Sequence, residues 1–433
     1  MALVGISNEE IMPYRNVFKH RNILIYWLVF QMRRTNTFRF SPNKKEEAEL
    51  FNLCDLSAVL WNLISFRRRR SFFKGKLDWD TDKEYKEFAP LIGSATAQQI
   101  IRKNNEAWKS FFALLKKKKE GKLPDDIKKV RPPGYWKDKK TGKRILRALI
   151  RNDTYKIEDG RLSLPKKMSM KIKGNKKWEG KQGRLEIYYD HLSNHWYACQ
   201  PVECEPLHQP IGNKKAYIDL GVINLLATHI DEDLRAIIYS GRPLLSDWWY
   251  WTNKISEIQS ELKKVNGKDS SKGMSCAYRK RKRIFRQSVN TIIYRFVETC
   301  WEKGVSEIVI GDVRGIRKNN KKGKKTDSMI HNFWSFGYIY DRLRIMAENF
   351  GISLTFKDER DTSRTCCICG KKHRNGRIHR GLYECKTHNK TMNADVNGIA
   401  NIANPIFPEP VFERPRDNWV LANPILVKVK VRD

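Results

Sequence analysis

The stretch TSRTCCICGKKHRNGRIHRGLYECKTHNKTMNADVNGIANI, residues 362–402, places two pairs of metal-binding residue types directly before an acidic helix start. Cys366 and Cys369 form a C-x-x-C pair, and Cys385 and His388 repeat that spacing after fifteen intervening residues. Thiolate and imidazole ligands at such spacings are typical of a structural zinc site. We therefore predict a zinc ribbon in which these four side chains bind one zinc ion.

The fourth zinc ligand is the one that the sequence specifies least. His373 and His379 lie in the same segment, and either could replace His388. Cys367 lies between the two residues of the first pair, and we interpret it as a spare cysteine.

The charge of the 433-residue chain indicates a polyanionic partner. Lys and Arg number 85 against 48 Asp and Glu, which gives a formal net charge of +37. Such an excess repels itself in a compact fold unless a polyanion neutralises it. Nucleic-acid phosphates do this with a strong salt dependence. We expect no membrane partner, because no run of about 18 apolar residues occurs.

The cysteines and the N-terminal segment favour a cytosolic setting. Metal-type cysteine spacing without a secretion signal indicates metal ligands in a reducing compartment instead of disulfides. Residues 22–31 are the most apolar window, but they are too few to span a bilayer and no small-residue cleavage site follows. We interpret this window as a buried β-strand and not as a signal peptide.

The first half of the chain combines strand and helix patterns. Strand-like alternation extends to about residue 45, and a helical pattern follows to about residue 119. Apolar residues at three- and four-residue steps, among them Ala97, Trp108 and Phe111, predict the buried face of a long helix. Residues 184–202 have the pattern of a β-hairpin. Strands, a helical insertion and further strands are therefore predicted.

The second half has a different order of elements. Three short strands at close spacing, the first ending at Asp219, predict an antiparallel meander. Helix, strand, helix and strand follow, then the zinc segment and a last helix over residues 394–403. A meander followed by βαβ crossovers is the RNase H-like pattern, a mixed sheet with helices on its faces. We predict an α/β multidomain protein.

Acidic residues occur where this sheet order brings chain segments together. Asp219 ends the first strand, the strand 306–311 is expected beside it, and Asp395 starts the last helix, where an acid suits the helix dipole. Converging carboxylates can hold two divalent ions about 3.5–4 Å apart for phosphodiester cleavage. Magnesium prefers such oxygen ligands. We therefore predict a two-magnesium site that includes Asp219 and Asp395.

Three segments resemble the TnpB family of transposon-encoded RNA-guided nucleases, and equally the miniature type V CRISPR effectors. They are Tyr217-Ile-Asp-Leu-Gly-Val-Ile-Asn-Leu-Leu-Ala-Thr228, Thr362-Ser-Arg-Thr-Cys-Cys-Ile-Cys-Gly370 and Asn393-Ala-Asp-Val-Asn397. The helix from Ala97 to Phe112 resembles the recognition lobe of that family. The resemblance is specific in the last 220 residues and loose in the first 200. It implies a RuvC nuclease domain in which Asp219 and Asp395 bind the catalytic metals.

The family's second motif normally ends its strand with Glu, but this chain has Gly311 there. Two residues could supply the missing carboxylate. Asp312 follows directly, although the strand period of two points it away from position 311. Glu359 lies just beyond the strand 352–356 and would be one strand spacing away, about 4.8 Å, if that strand pairs parallel to 306–311. We favour Glu359 as the third catalytic residue; Asp312 and a site without a third carboxylate remain alternatives.

The resemblance and the element order together predict a RuvC-like domain with an inserted zinc ribbon, preceded by a β-barrel-like domain with a helical insertion. Two basic segments are candidates for nucleic-acid binding, one of them interleaved with aromatic residues that can stack on bases. They comprise Arg67, Arg68, Arg69 and Arg70, and Arg279, Arg281 and Arg283. The predicted domains are a wedge-like β domain (1–45 and 150–206), a helical recognition domain (46–135), the nuclease domain (207–361 and 391–404), the zinc ribbon (362–390) and a tail (405–433).

The resemblance implies the partners and the activity. They are a guide RNA, double-stranded DNA with a short adjacent motif, and RNA-guided DNA cleavage in a prokaryotic cytoplasm. The alternative that Gly311 suggests is a repressor-like protein that binds DNA through its guide with weak or no cleavage. A third class is a basic zinc-ribbon RNA-binding protein. The sequence leaves open whether the chain forms a dimer and whether a transposon or a CRISPR array supplies the RNA.

Overall fold

The computed structural model describes residues 32–124, 127, 129–138, 141–267, 270–313, 329–373, 375–379, 381–403 and 423–428. The strand predicted within residues 22–31 lies outside the described residues. The chain divides into two compact units between Glu205 and Pro206. Among the described helices, none has both the length and the apolar composition needed to cross a membrane.

In the part of the first unit that the structure describes, an antiparallel sheet is combined with three helices. The helices are α1 (Lys44–Phe73), α2 (Asp82–Ile92) and α3 (Ser94–Lys119). The strands are β1 (Met32–Ser41), β2 (Arg147–Ile150), β3 (Lys156–Glu158), β4 (Arg161–Leu164), β5 (Met168–Lys173), β6 (Lys181–Gln182), β7 (Leu185–Asp190) and β8 (His195–Cys204). They are ordered β2-β7-β8-β1-β5-β4-β3, with β6 paired to β8.

The local sequence explains these elements. Alternate residues of β1 are buried, which places one face of the strand on the core. The predicted hairpin is confirmed, because β7 and β8 pair antiparallel. Helix α1 begins with a capping box in which the side chain of Asn43 accepts from the backbone of Glu46 and the Glu46 carboxylate accepts in return. Trp108 and Phe111 of α3 are buried as predicted.

Within its described residues, the second unit contains a mixed sheet, a small three-stranded sheet and four helices. The strands are β9 (Lys214–Asp219), β10 (Asn224–Ile230), β11 (Ile237–Ser240), β12 (Val305–Gly311), β13 (Ser353–Lys357), β14 (Arg377–His379), β15 (Leu382–Cys385), β16 (Lys390–Asn393) and β17 (Ile425–Val427). The helices are α4 (Arg242–Asn266), α5 (Lys272–Glu302), α6 (Phe336–Asn349) and α7 (Ala394–Ala403), with a π-helical turn at Met329–Phe333.

The mixed sheet has the order β13-β12-β9-β10-β11-β17. Strands β9, β10 and β11 form the predicted antiparallel meander. Strand β12 pairs parallel with β9 on one side and with β13 on the other, as predicted. The carboxyl ends of β9, β12 and β13 therefore meet at one edge of the sheet.

The two faces of this sheet contact different elements. Ala216 and Ile218 of β9 belong to a core shared with helices α5 and α6. Tyr217, which lies between them in the strand, packs against a second core that contains α7 and the small sheet. Because successive side chains of a strand point to opposite faces, Asp219 lies on the α7 side. This face carries the candidate site.

Candidate metal and active site

Three acidic residues lie at the carboxyl edge of the mixed sheet. Asp219 is the last residue of β9, and Glu359 follows the end of β13 by two residues. Asp395 is the second residue of α7, whose backbone is capped by the side chain of Asn393 at 2.9 Å from the Asp395 nitrogen. Residues more than 170 positions apart in the sequence are thus brought to one edge.

Glycine at position 311 makes room for Glu359. A β-carbon on Gly311 would lie 2.5 Å from Oε2 of Glu359 and 3.1 Å from Cδ1 of Ile402. Gly311 pairs with Lys357 in the parallel β12–β13 ladder, which sets Glu359 beside it. The carboxylate of Glu359 therefore occupies the space in which a side chain at position 311 would begin.

A second glycine allows α7 to approach Asp219. A β-carbon on Gly398 would lie 2.7 Å from Oδ2 of Asp219. Gly398 is one helical turn after Asp395 on α7. The close approach brings the Asp219 carboxylate against the first turns of the helix that carries Asp395.

Two polar side chains hold the carboxylate of Asp395. The side-chain amide of Asn224 donates to Oδ2 at 2.6 Å, and a guanidinium nitrogen of Arg377 lies 3.4 Å from Oδ1. Sequence reasoning missed both contacts. Asn224 stands inside the quoted motif around Asp219, so a signal existed for it, whereas nothing in the sequence marks Arg377.

The negative charge of the three acids is incompletely compensated. Burial, and then the neighbouring Asp395 carboxylate, raise the pKa of Asp219 to about 7, although Arg377 acts in the opposite direction. Burial also raises the pKa of Glu359 to about 7, with further contributions from Asp219 and Asp312. The Asp219 carboxylate thus interacts unfavourably with both of the other acids. A bound cation would relieve this repulsion.

The acids are less tightly grouped than the ligands of a single ion. In the described part of the chain, they do not form a set of three ligand atoms that all lie within 4.8 Å of one another. Ligands of two ions about 3.5–4 Å apart do not have to approach each other so closely.

The cysteine segment does form a compact ligand group. The ligand atoms of Cys366, Cys369, Cys385 and His373 all lie within 4.8 Å of one another. Nε2 of His373 is 3.1 Å from Sγ of Cys369. Three thiols and one imidazole at these separations can hold a tetrahedrally coordinated metal ion.

The predicted fourth ligand differs from the one that the structure places in this group. Nδ1 of His388 lies 3.4 Å from Sγ of Cys385, but His388 is not part of the four-residue set. His373 follows Cys369 by four residues, and the turn closed by the Gly370 nitrogen and the Cys366 oxygen folds it back over the first pair. The alternative ligand His373 is therefore favoured over His388. Cys367 lies outside the group, with its sulfur 3.5 Å from Sδ of Met392.

Hydrogen bonds connect this cysteine module to α7. The side-chain amide of Asn401 donates to the carbonyls of Thr362 and Thr365 at 2.8 and 2.7 Å. Asn397, which is fully buried, donates to the Thr365 carbonyl and accepts from the Cys367 nitrogen, both at 2.9 Å. Because β16 also leads directly into α7, the position of Asp395 depends on the cysteine module.

Within the first basic run, burial contradicts the predicted nucleic-acid contact for Arg68, and for Arg67, Arg69 and Arg70 that contact stays a prediction. Arg68 is fully buried and donates to Oδ1 of Asn104 at 2.7 Å, and burial lowers its pKa to about 10. Arg67 lies 3.2 Å from the buried carboxylate of Glu84, and Arg69 donates to the carbonyls of two prolines. Only Arg70 of the four is exposed. The aromatic helix packing around this run draws its arginines inward.

The second basic segment is mixed. The guanidinium of Arg281 lies 4.0 Å from the ring centre of Trp248 and donates to Oγ1 of Thr252 at 2.9 Å. It is thus committed to contacts between α4 and α5. Arg279 and Arg283 are exposed on α5, so nucleic-acid binding stays a prediction for these two.

Two family models match the chain, over residues 199–317 and 336–402. The first is described as "Probable transposase" and the second as the Cas12f1-like TNB domain. A TnpB-like protein, ORF457, of Acidianus two-tailed virus is 35% identical over 410 residues, which covers 87% of this chain and 88% of that protein. The chain belongs to the TnpB family.

Two further similarities place this TnpB-family chain near CRISPR effectors. A segment of 122 residues is 27% identical to the CRISPR-associated endodeoxyribonuclease Cas12f1 of Sulfoacidibacillus thermotolerans, covering 28% of this chain and 27% of that protein. The cryo-EM structure of a Cas12f1–sgRNA–target DNA complex matches with a TM-score of 0.60 at 12% identity, covering 87% of this chain and 99% of that chain. At this identity the match shows that the two chains share a fold.

Proposed function

We propose that this TnpB-family chain is an RNA-guided DNA endonuclease that hydrolyses phosphodiester bonds at a RuvC-like site formed by Asp219, Glu359 and Asp395. The observation that carries the proposal is the position of Glu359, whose carboxylate fills the space beside Gly311. It supplies the third carboxylate that the strand itself lacks. The Cas12f1 relatives, one named as an endodeoxyribonuclease and one solved with RNA and DNA, support guide RNA and double-stranded DNA as partners.

The residues of the site fit divalent cations. Carboxylate oxygens are the ligands that Mg²⁺ prefers, and two acids with a pKa of about 7 mark negative charge that the protein itself does not balance. Asp219, Glu359 and Asp395 are the residues that would hold the cations. Two Mg²⁺ ions at this site would supply an activated water and a counter-charge for the leaving oxygen.

The protein side chains contribute orientation and charge. Asn224 and Arg377 fix the carboxylate of Asp395 from two sides. The Gly311 and Gly398 positions let Glu359 and the first turns of α7 approach Asp219. Above pH 7 the carboxyls of Asp219 and Glu359 are mostly ionised and can bind cations, whereas below it protons compete with the cations.

The cysteine module fits a structural zinc ion bound by Cys366, Cys369, Cys385 and His373. In this proposal the module keeps α7 and Asp395 in place. The domain division and the guide-dependent recognition of a short DNA motif are proposed on the family resemblance.

The decisive experiment uses the full chain with the RNA that co-purifies with it. Sequencing that RNA supplies the guide, and a matching DNA duplex is then tested for binding and for Mg²⁺-dependent cleavage. We expect Asp219→Asn to abolish cleavage and to leave guided binding intact, because the substitution removes charge with little change of shape. Guided binding without any cleavage by the unaltered chain would support the repressor-like alternative. Absence of DNA binding with the native RNA would contradict both.

A further inference from the structure

Asn224 connects the rigid sheet to the acid on α7. It is the first residue of β10, and its side-chain amide donates to Oδ2 of Asp395 at 2.6 Å. The partner residue lies 171 positions later in the chain. This contact is therefore a tertiary link between the strand next to Asp219 and the helix that carries Asp395.

The backbone around Asn224 is tightly fixed. Asn224 pairs with Ser240 in the antiparallel β10–β11 ladder, and the Gly241 nitrogen donates to the Ile223 carbonyl at 2.7 Å. A β-carbon on Gly221 would lie 2.3 Å from the Asn224 carbonyl oxygen, so the β9–β10 turn closes directly onto this residue. The Asn224 amide is therefore attached to a backbone segment that these contacts hold in place.

The carboxylate of Asp395 needs a side-chain contact that fixes its rotation. Its backbone is held through Asn393 and the cysteine module, which does not determine how its carboxylate is rotated. The other contact of the carboxylate, Arg377, is longer at 3.4 Å, and the Arg377 side chain is 47% exposed. Of the two, Asn224 is the shorter and less exposed restraint on the carboxylate.

We propose that Asn224 is a positioning residue that orients the Asp395 carboxylate toward Asp219, so that both acids can bind the same divalent cation. The inference rests on the proposed function for the role of that cation. An amide suits this task because it donates a hydrogen bond without adding charge. It occupies one oxygen of Asp395 without neutralising the charge of that carboxylate, which stays an anionic ligand. The competing explanation is that Asn224 only fills space at the end of the turn.

Two variants separate these explanations. Asn224→Asp keeps the shape but replaces the donor by a second carboxylate facing Asp395, and Asn224→Ala removes the side chain without adding charge. The matched control is Asn290→Asp on α5, where the side chain accepts from the Tyr338 hydroxyl at 2.9 Å and a carboxylate can do the same. Thermal unfolding of all three variants checks that they fold.

The readout is Mn²⁺ binding to the full chain, measured by electron paramagnetic resonance of free Mn²⁺. Binding at the acid site is the difference in bound Mn²⁺ between a chain with Asp219 and the same chain with Asp219→Asn. We expect Asn224→Ala to weaken this binding about 10–100-fold, the range for residues that orient metal ligands. In Asn224→Asp the added carboxylate can itself bind Mn²⁺, so the alanine variant decides. Guided DNA binding and the Asn290→Asp control should be unchanged. Mn²⁺ affinity of Asn224→Ala equal to that of the unaltered chain would overturn the inference.

The same measurements distinguish failure of the inference from failure of the proposed function. If the unaltered chain binds Mn²⁺ at Asp219 but cleaves no guided DNA, the endonuclease proposal is wrong and the Mn²⁺ titration still decides the role of Asn224. If the unaltered chain cleaves and Asn224→Ala cleaves at the same rate with unchanged Mn²⁺ affinity, only the positioning role is wrong.

Discussion

Asp219 and Arg68 are charged side chains, one in each compact unit, with opposite surroundings; Arg68 is fully buried and Asp219 is partly buried. Arg68 donates to Asn104 and to the Trp79 carbonyl, and the acidic Asp78 and Glu84 lie near it. Asp219 faces the like charge of Asp395 and lies beside Glu359. Arg68 is thus surrounded by hydrogen-bond acceptors and opposite charge, whereas Asp219 is surrounded by charge of its own sign.

The difference separates structural from functional charge. A buried ion with hydrogen-bond partners stabilises a particular packing, and breaking its contacts leaves other polar groups unsatisfied. A group of like charges in one place destabilises the fold unless a ligand neutralises it, which is why such groups mark functional sites. The basic run looked functional in the sequence because its charges are adjacent, but adjacency did not predict exposure.

The largest effect is expected from a methyl group at position 311. In Gly311→Ala the new β-carbon would meet Glu359 at 2.5 Å, so the carboxylate must move by about 1 Å or more. A displacement of this size lowers a catalytic rate on the order of 100-fold. Guided DNA cleavage, measured as a single-turnover rate, checks this.

Gly337→Ala is the matched control for this substitution. Gly337 lies in α6, and no atom lies within 4 Å of a β-carbon built there. This control should cleave normally and gain about 0.5–1 kcal/mol in the free energy of unfolding. If Gly311→Ala cleaved as fast as Gly337→Ala, the functional role assigned to the Glu359 carboxylate would be wrong.

The next effect concerns the cysteine module. Cys385→Ser should lose one bound zinc per chain and reduce cleavage on the order of 10–100-fold, because β15 and β16 lead into the helix that carries Asp395. Cys367→Ser should keep the zinc, because Cys367 lies outside the ligand group. Zinc content by elemental analysis and the cleavage rate are the two measurements. Equal zinc content in both variants would contradict the assignment.

The choice of the fourth ligand is tested separately. His373→Ala should weaken zinc binding more than His388→Ala, because only His373 belongs to the set of atoms within 4.8 Å. Competition with a chromophoric chelator gives both affinities. If His388→Ala weakened zinc binding more than His373→Ala, His388 would be the fourth ligand, as the C-x-x-H spacing predicts.

A smaller and graded effect is expected from pH. Asp219 and Glu359, with pKa values of about 7, bind protons that a cation must displace. Divalent-ion affinity should therefore rise from pH 6 to pH 8, by up to about tenfold per pH unit for each proton released, and level off above. Calorimetric Mn²⁺ titrations at several pH values measure the slope, which Asp219→Asn should reduce.

The same shifts predict how the stability of the metal-free chain changes with pH. Both carboxyls have a higher pKa in the folded than in the unfolded state, so the folded state binds more protons between about pH 4 and pH 7. The metal-free chain should lose stability as pH rises through this window, and added Mg²⁺ should diminish the loss. Thermal unfolding with and without Mg²⁺ checks the sign.

The smallest effect on cleavage is expected from Arg68. Arg68→Met should lower the free energy of unfolding by about 1–3 kcal/mol, since Asn104 loses its partner. The single-turnover cleavage rate of the folded complex should not change. Arg70→Met, at the exposed neighbour, should change stability by less than about 0.5 kcal/mol. A cleavage defect in Arg68→Met at full folding would show that the structural interpretation of this buried arginine is wrong.

Much of the second unit was predictable from the sequence. The meander β9–β11, the parallel strands β12 and β13, and helix α7 follow from apolar runs of strand length and from helical spacing. Their order allowed the prediction that Glu359 would lie beside Gly311, because parallel neighbours end at the same sheet edge. The ligand cysteines were equally clear from their spacing.

The details that the sequence did not predict depend on side-chain environment. The burial of Arg68 contradicts a prediction, whereas the preference for His373 over His388 and the two contacts of Asp395 are details that the sequence left open or did not indicate. Each of them depends on residues that are distant in the chain. Neither periodicity nor spacing contains that information, because both describe a residue's neighbours along the chain and not those across the fold.

Local pattern and short-range spacing were enough to indicate the family, the order of the strands and helices, the cysteine group and two of the acids. The folded structure was needed to choose Glu359 among the alternatives for the space beside Gly311, to find the contacts of Asn224 and Arg377 with Asp395, and to show that Arg68 is internal. The physical reason is that charge acts through space: whether it is compensated depends on which distant side chains the folded backbone brings within a few ångströms.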